Sequence, residues 1–580
     1  MKLEDQADKK EFVSKAITFL RTKLKSGEDH LEKDYEIYLQ PIHKIHLDPW
    51  IYADFTKKGN ATYIYVFPVL GLFLLLIAGI NYTNLSIADF HKRSREIGVR
   101  KVLGAQKSQV AFQVILETII ICTGAAAMSI ALLFLIFPFV VQLLEKELTF
   151  EMIMKPDVIL ATGGIILFLI AVSSIYPAWH LAANNAVRDL KSIPGGSHNF
   201  SGRMLLGIQF LISIISICAT LVVGQQIDFF QTKDPGYDRE HLVVLNMPDR
   251  YPPEKIPVIK TELSNIPGVE AVSYSTFRIA AGGYYRDWYR VEIDGQMKQM
   301  LLNEVFFDHD FFRTTGIEVV AGRSFDPGNA ADPHSAFIVN ETAVREFGWD
   351  DPVGKRIDYG YEETEGEKWE GTIIGVVKDF NIYSMHRKIE PLVMRLPWSE
   401  WPGQSVHVRI NGPLSETITR IKDKYAEILP DFLIDYHLAG DLYANQYQHE
   451  QKAFTTLKFG TWIIVLISAL GIFALSVYMS VRRMKEFGIR KVLGATVGQI
   501  ALLYVGYFLR IAFVANFIAL PVAWWTSHLW LSQSAYRTQV SSLTFICVIF
   551  ISFVLIILSA GYACVRAGLM NPVEVIKSDN

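Results

Sequence analysis

Glu96–Ala105 reads EIGVRKVLGA and Glu486–Ala495 reads EFGIRKVLGA, eight identities in ten positions at an offset of 390 residues. A repeat this sharp in a long chain means two structurally equivalent halves. Each copy follows on an uncharged apolar run long enough to cross a bilayer, so each is a cationic segment at a membrane exit. Read as a helix, Val99, Val102 and Leu103 share one face by i, i+3, i+4 spacing, with Glu96 and Arg100 as an i, i+4 pair beside it. Gly104 and Gly494 then act as helix stops. A solvated turn held by positive-inside charge would account for one such segment. Charge bias alone does not demand the same Glu, Gly, Arg-Lys and Gly-Ala order twice, so the pair reads as two equivalent docking surfaces on the cytosolic face.

Outward from the repeat, seven membrane-length runs lie near residues 63–88, 112–140, 158–180, 204–226, 459–481, 504–529 and 541–564. Asp89–Gln109 holds six Lys/Arg against two acids, Glu145–Asp157 two against four, Arg188–Arg203 three against one, and Arg482–Gly494 five against one. This alternation puts both repeats, the central linker and the C-terminus in the cytosol, and residues 1–60, 145–157 and 228–455 outside. The second half runs helix, large soluble domain, helix, repeated segment, helix, short outer loop, helix. The first half keeps that order without the opening helix and most of the soluble domain. Even the half-ends correspond, SSIYPAWHLAANNAVRDLKS at 173–192 with SAGYACVRAGLMNPVEVIKS at 559–578, sharing Tyr176 with Tyr562 and Asn185 with Asn571. The start, MKLEDQADKKEFVSK, has no apolar core of a secretory signal. The expectation is an N-terminally shortened version of an eight-helix protein, from a mis-set start or a split gene.

Composition agrees. The 580 residues are 51% hydrophobic and 20% charged with mean hydropathy +0.23, which fits a membrane protein with a sizeable soluble part. Basic residues cluster at membrane exits rather than in one stripe, so no nucleic-acid partner is expected. Cys122, Cys218, Cys547 and Cys564 all lie in or beside apolar runs, which leaves no disulfide framework for the soluble stretches.

The soluble domain, about 228–455, reads as mixed α+β. HLVVLNM, KIPVIKTELSNI and VEAVSYST form a strand, helix, strand unit near its start; QSVHVRI, LSETITRIKDKYAEI and FLIDYHL repeat the unit near its end. A strand-rich insert between them, Arg286–Met394, suggests two lobes. Enzyme motifs fail: Gly354-Lys355 is followed by Arg356 and has Trp349 where a phosphate-binding loop needs its first glycine, and no HExxH, nucleophile elbow or Cys-x-x-Cys is present. Asp379 and Glu341 read as turn and cap residues, and His43 with His46 lacks acidic or Cys partners at metal-site spacing. No cofactor or metal is expected.

Within the membrane, Trp524, Trp525 and Trp530 mark an outer interface. Counting back roughly 20 residues puts the inner boundary near 506–510. Arg510 then snorkels to the cytosolic side, and 496–507 lies along the surface. Glu117 sits at similar depth in the first half, and Asn81, Thr83, Asn84 and Ser86 read as helix-contact residues rather than an ion site.

The repeats in REIGVRKVLGA and KEFGIRKVLGA, together with FFRTTGIEVVAGRSF, AFIVNETAVREFG, DPVGKRI, IIGVVKDFN and NPVEVIKS, resemble permease subunits of the MacB/FtsX-like ABC transporter family, from about residue 35 to the end. YLQPIHKIHL resembles the tail of that family's first outer domain. The resemblance implies a membrane α-helical fold, seven predicted transmembrane helices in two homologous halves, with an α+β extracytoplasmic domain. It divides the chain into a remnant of the first outer domain (1–60), a first FtsX-like half (61–192, coupling segment 94–105), linker and helix (193–227), a MacB-like periplasmic core domain (228–455) and a second half (456–580, coupling segment 484–495). It implies mechanotransmission in a bacterial inner membrane. A separate cytosolic ATPase dimer would bind Glu96, Gly98, Arg100, Lys101 and Gly104, and Glu486, Gly488, Arg490, Lys491 and Gly494. Its movement would reach the outer domain for export of an antimicrobial, peptide or lipoprotein. Membrane lipid and a periplasmic adaptor or outer-membrane protein are the further implied partners. A signal relay to a cell-wall hydrolase or kinase, and an inactive truncated permease, are the alternatives.

Overall fold

The computed structural model describes residues 9–24, 39, 61–144, 149–183, 200–248, 251–280, 282–359, 369–397, 403–532 and 534–569. The chain divides into two compact units. Thr62–Asp228, Glu450–Ser532 and Arg537–Asn580 form the membrane unit; Phe229–His449, with Met1–Ala61 and Gln533–Tyr536, forms the soluble one.

The membrane unit is built from α1 (Ala61–Val102), α2 (Lys107–Leu144), α3 (Pro156–Ala183), α4 (Phe200–Thr232), α5 (Gln448–Arg482), α6 (Met484–Val492), α7 (Val497–Leu531) and α8 (Ser542–Leu569). All but α6 carry a stretch long and apolar enough to cross a membrane, seven among the described residues. An apolar surrounding gives little drive to bring apolar faces together, so small side chains and interhelical hydrogen bonds set the contacts. Along α4 and α5, Gln209 Nε2 donates to the Ser468 carbonyl (3.0 Å), the Ser213 and Ser468 hydroxyls lie 2.7 Å apart, and Thr220 and Thr461 likewise 2.7 Å. On α1, Asn81 Nδ2 donates to the Ile467 carbonyl of α5 at 2.7 Å, beside Gly471, where a Cβ would overlap the Asn81 side chain. Asn81 is thus a helix-contact residue, as its neighbourhood in the sequence suggests. Leu206, Phe210, Ile214 and Cys218 of α4 share one core with Phe508, Ala512, Ala515 and Ala519 of α7 and Val548 and Ile556 of α8.

One expectation is corrected. Residues 497–531 form a single helix opened by a capping box at Thr496, so 496–507 is not a separate surface-lying piece. Its apolar positions Ile500, Tyr504 and Val505 are buried in the bundle, and that burial carries the helix straight through. Arg510 is exposed on the same helix.

In the soluble unit, β1 (Leu242–Asn246), β2 (Val269–Ser275), β10 (Ser405–Ile410) and β11 (Asp435–Leu438) form an antiparallel sheet in the order β11-β1-β10-β2. Helices Ile256–Ser264 and Leu414–Ile428 bury Ile259, Leu263, Ile421 and Tyr425 against it. This is the split β-α-β arrangement of ferredoxin-like folds, assembled from the two strand, helix, strand units at the ends of the domain. The insert supplies β3 (Tyr285–Ile293), β4 (Gln296–Phe306), β5 (Val319–Gly322), β6 (Ala336–Asn340), β7 (Arg356–Tyr359), β8 (Trp369–Val377) and β9 (Leu392–Arg395). Their order β8-β6-β9-β4-β3-β7 returns to β8, closing a six-strand ring in which β7 pairs the start of β8 (369–372) and β5 its end (375–377) on the same edge. Inside, Arg395 Nη2 lies 3.2 Å from Glu304 with both side chains buried, and the guanidinium sits 3.9 Å from the centre of the Tyr359 ring.

Glu341 and Asp379 tie the loop after β8 to the start of the helix Glu341–Phe347, whose N-cap is Asn340. Asp379 accepts from the Thr342 backbone N–H (2.9 Å), the Thr342 hydroxyl (2.8 Å) and Arg345 (2.7 Å), while Glu341 accepts from the Asp379 N–H (3.1 Å). Among the described residues no group of three or more His, Cys, Asp or Glu is placed to hold a metal ion. His43 and His46 lie outside them.

Candidate coupling segments

Both repeats end in the same backbone device. At the first, Gly104 takes φ +101° and the Ala105 N–H donates back to the Arg100 carbonyl at 2.9 Å. At the second, Gly494 takes φ +94°, the Ala495 N–H reaches the Arg490 carbonyl at 2.9 Å and the Gly494 N–H the Lys491 carbonyl at 3.1 Å. These are the bonds of a Schellman stop, which needs a left-handed residue where glycine stands. The next helix then begins alike in both: the Gln106 N–H donates to Gln109 Oε1 and the Thr496 N–H to Gln499 Oε1, each at 3.0 Å. Gln109 and Gln499 stand at the repeat's own 390-residue offset, a signal the ten-residue match stops short of.

The stop fixes which side chains stand out. Val99 is 53% exposed and Leu103 81%; their mates Ile489 and Leu493 are 58% and 81% exposed, with Val492 beside them. Folded chains usually bury such groups, so an apolar ridge of the same composition is left open at both places. Behind the second ridge, Phe487 is buried with its ring 5.4 Å from that of Tyr504, anchoring α6 on α7.

Of the ten expected coupling residues, Arg490 donates to Glu486 at 2.9 Å, at the second-copy positions of the expected Glu96 and Arg100 pair, and Gly488 is buried on α6. Lys491 is half-buried at its end. Arg100 donates to Gln113 Oε1 of α2 (3.2 Å), and Gln113 in turn donates to Glu117 (3.1 Å). Their mates in α7 are Leu503 and Tyr507, so the side chain in Gln113's place offers Arg490 no acceptor. The side chains of Glu96 and Lys101, and the surroundings of Gly98, fall outside the described residues.

The family model for the FtsX-like permease C-terminal domain matches residues 68–186 and again 458–572, and that for the MacB-like periplasmic core domain matches 204–424. With the seven spans in two halves and an α+β extracytoplasmic segment, these matches define a multi-pass membrane permease. The chain belongs to the MacB/FtsX-like permease family. It is 30% identical over 117 residues to the macrolide export ATP-binding/permease protein MacB of Campylobacter jejuni (20% of this chain, 18% of that one). It is 31% identical over 80 residues to the protein of that name in Shewanella oneidensis (14% and 12%). The chain thus spans less than a fifth of the length of these curated relatives. Among solved structures, the periplasmic region of MacB from Actinobacillus actinomycetemcomitans is similar at 12% identity and TM-score 0.27, covering 36% of this chain and 94% of that one. The extracellular domain of the transporter YknZ from Gram-positive bacteria is similar at 15% identity and TM-score 0.23, covering 33% and 92%.

Proposed function

We propose that this chain is the permease subunit of an ABC exporter in a bacterial inner membrane. Its two repeated segments are the docking points of a separate cytosolic ATPase dimer that hydrolyses ATP on its behalf. The observation that carries this is the duplicated ridge: Val99 and Leu103, and Ile489 and Leu493, stand exposed beside basic residues on helices stopped by one and the same device. A short helix with an apolar edge and a rigid terminus fits a groove on a partner and passes on its rigid-body movement. In this reading Glu96, Gly98, Arg100, Lys101 and Gly104, with Glu486, Gly488, Arg490, Lys491 and Gly494, shape and charge the two docking helices. Residues 228–455 receive the movement outside and act on an antimicrobial, peptide or lipoprotein, with an adaptor or outer-membrane protein completing the path.

The test is Leu103→Asp and Leu493→Asp, singly and together, in membranes of the source organism. Burying one leucine is worth about 1.5–3 kcal/mol, so each variant weakens ATPase association roughly 10- to 100-fold while insertion is unchanged. Co-purification of an ABC-type ATPase and its stimulation by the permease are the readouts. Undiminished association in the double variant rejects docking at these ridges. Retained coupling with no change in export, but loss of an outer hydrolase or kinase response, rejects export in favour of relay.

A further inference from the structure

We propose that the loop between β8 and β9 of the soluble unit holds a binding site for an organic carboxylate that carries an apolar group. The loop, residues 378–391, lines a small cavity together with Tyr284 and Asn303. The cavity volume is about 40 Å³, room for roughly three waters. That admits a charged end group and the first atoms behind it, with the rest of a larger molecule left outside.

Its walls are aromatic and fixed. The Tyr284 and Tyr383 rings meet edge to face with centres 4.9 Å apart, and the Gly283 N–H donates to the Tyr383 hydroxyl at 3.1 Å. Tyr383 lies so close on Gly282 that a Cβ there would overlap its ring. Phe380, Ile382 and Leu392 on the same lining are buried. Rings held in this way offer an apolar group both faces and edges to pack on.

Charge sets the sign of the ligand. Among the described residues Glu390 is the one acid on the lining, and its Oε2 already accepts from the Tyr284 hydroxyl (2.8 Å), Asn303 Nδ2 (2.9 Å) and Arg286 Nη2 (3.1 Å). Burial pushes its carboxyl up, but these donors outweigh that and hold it below the usual range. Arg387 and Lys388 add two positive charges to the same lining, and the Arg387 guanidinium stands 5.5 Å from the centre of the Tyr383 ring.

Asn381 points to the same kind of ligand by a separate route. It lines the cavity at 7% exposure, and its side-chain amide has no hydrogen-bond partner among the described residues. The neighbouring amides differ: Asn303 is engaged by Glu390, Pro391 and Arg286, and Asn340 by Glu390, Ala343 and Leu392. A buried amide left open is costly until something enters to meet it. A carboxylate oxygen accepting from Asn381 beside two cations meets it, and the rings then take the group attached to that carboxylate. A bare inorganic anion would leave the rings unused.

Equilibrium dialysis of labelled N-acetylphenylalanine against the full chain in detergent tests this, with N-acetylphenylalaninamide as the uncharged control. The acid should bind at least about tenfold more tightly than the amide. Lys388→Glu, at an exposed position, should weaken the acid about tenfold and the amide little. Asn381→Asp, which keeps the shape of the side chain, should weaken the acid by about as much. Equal binding of acid and amide, wild-type affinity in both variants, or no retention of the acid at millimolar concentration overturns the proposal. Inorganic phosphate displacing the acid at equal concentration would mean that the site reads charge alone, and overturns the assignment to an organic acid. The readout involves no ATPase, so it stands apart from whether the chain serves export or relay.

Discussion

The first repeated segment is the far end of an unbroken 42-residue helix, whereas the second is a separate nine-residue helix set off from α5 by Arg483 at φ −99°, ψ 12°. Their stops are the same to within a few degrees of φ. The stop is therefore written in the shared residues, Gly-Ala after Arg-Lys-Val-Leu, while continuity upstream is decided by what each helix finds to pack on. In the second copy Phe487 is drawn onto Tyr504, and the chain breaks just before α6. Ile97 holds that place in the first copy, where Arg100 reaches to Gln113 of α2. Matching sequence has preserved the exposed ridge and let its supports diverge.

The largest effect on this pseudo-symmetry is expected where the halves meet. Asn81 and Gly471 are mates at the 390-residue offset, and one fills the space that the other leaves empty. Gly471→Ala pushes Asn81 off the Ile467 carbonyl, combining overpacking with a buried amide left unpaired, at about 2–4 kcal/mol. Thermal unfolding in detergent should register that loss. Asn81→Ala combined with Gly471→Ala should recover part of it, and an unchanged single variant would mean that the α1–α5 contact does not hold the halves together. A smaller effect tests the stops. Gly104→Val and Gly494→Val each force a branched residue into left-handed backbone at about 1–2 kcal/mol. Neither added Cβ meets anything within 4 Å, so the cost is conformational and should be equal in the two copies. Hydrogen exchange of the Ala105 and Ala495 amides is the measure. An unequal response would show that the broken α6 and the continuous α1 share a motif but not its stability.

Much of this was legible in the residues themselves. Length and hydropathy mark the seven spans, the glycines mark the stops, and two strand, helix, strand units mark the ends of one sheet, because each signal is local. The closure of β7 onto β8 was not, since a ring is completed by pairing strands that carry no mark of their neighbours. Nor was the burial of Arg395 and Glu304, which read as ordinary charges until β9 and β4 lie side by side. The segment 496–507 misled for a related reason: a tryptophan belt sets where a membrane ends, but only the packing of Tyr504 and Phe508 shows that the helix continues past that boundary. At the coupling segments the exposed Val99 and Leu103 were readable, but the Arg100–Gln113 bond depends on the helix opposite.

The finest difference between the copies lies one residue beyond them. Thr496 forms both halves of a capping box: its hydroxyl accepts from the Gln499 N–H at 3.3 Å, and its own N–H donates to Gln499 Oε1. Gln106 keeps only the second half, through Gln109, and its side-chain oxygen is occupied by the Ser108 hydroxyl at 3.4 Å. Gln106→Thr should therefore install the absent bond and stabilise the start of α2 by about 0.5–1 kcal/mol, while Thr496→Gln removes a similar amount from α7. Exchange rates of the Gln109 and Gln499 amides report the two changes separately, and they should move in opposite directions. If both variants were neutral, the helix starts would be fixed by the burial of Val110 and Ile500 one residue further on, and the capping contacts would be its consequence.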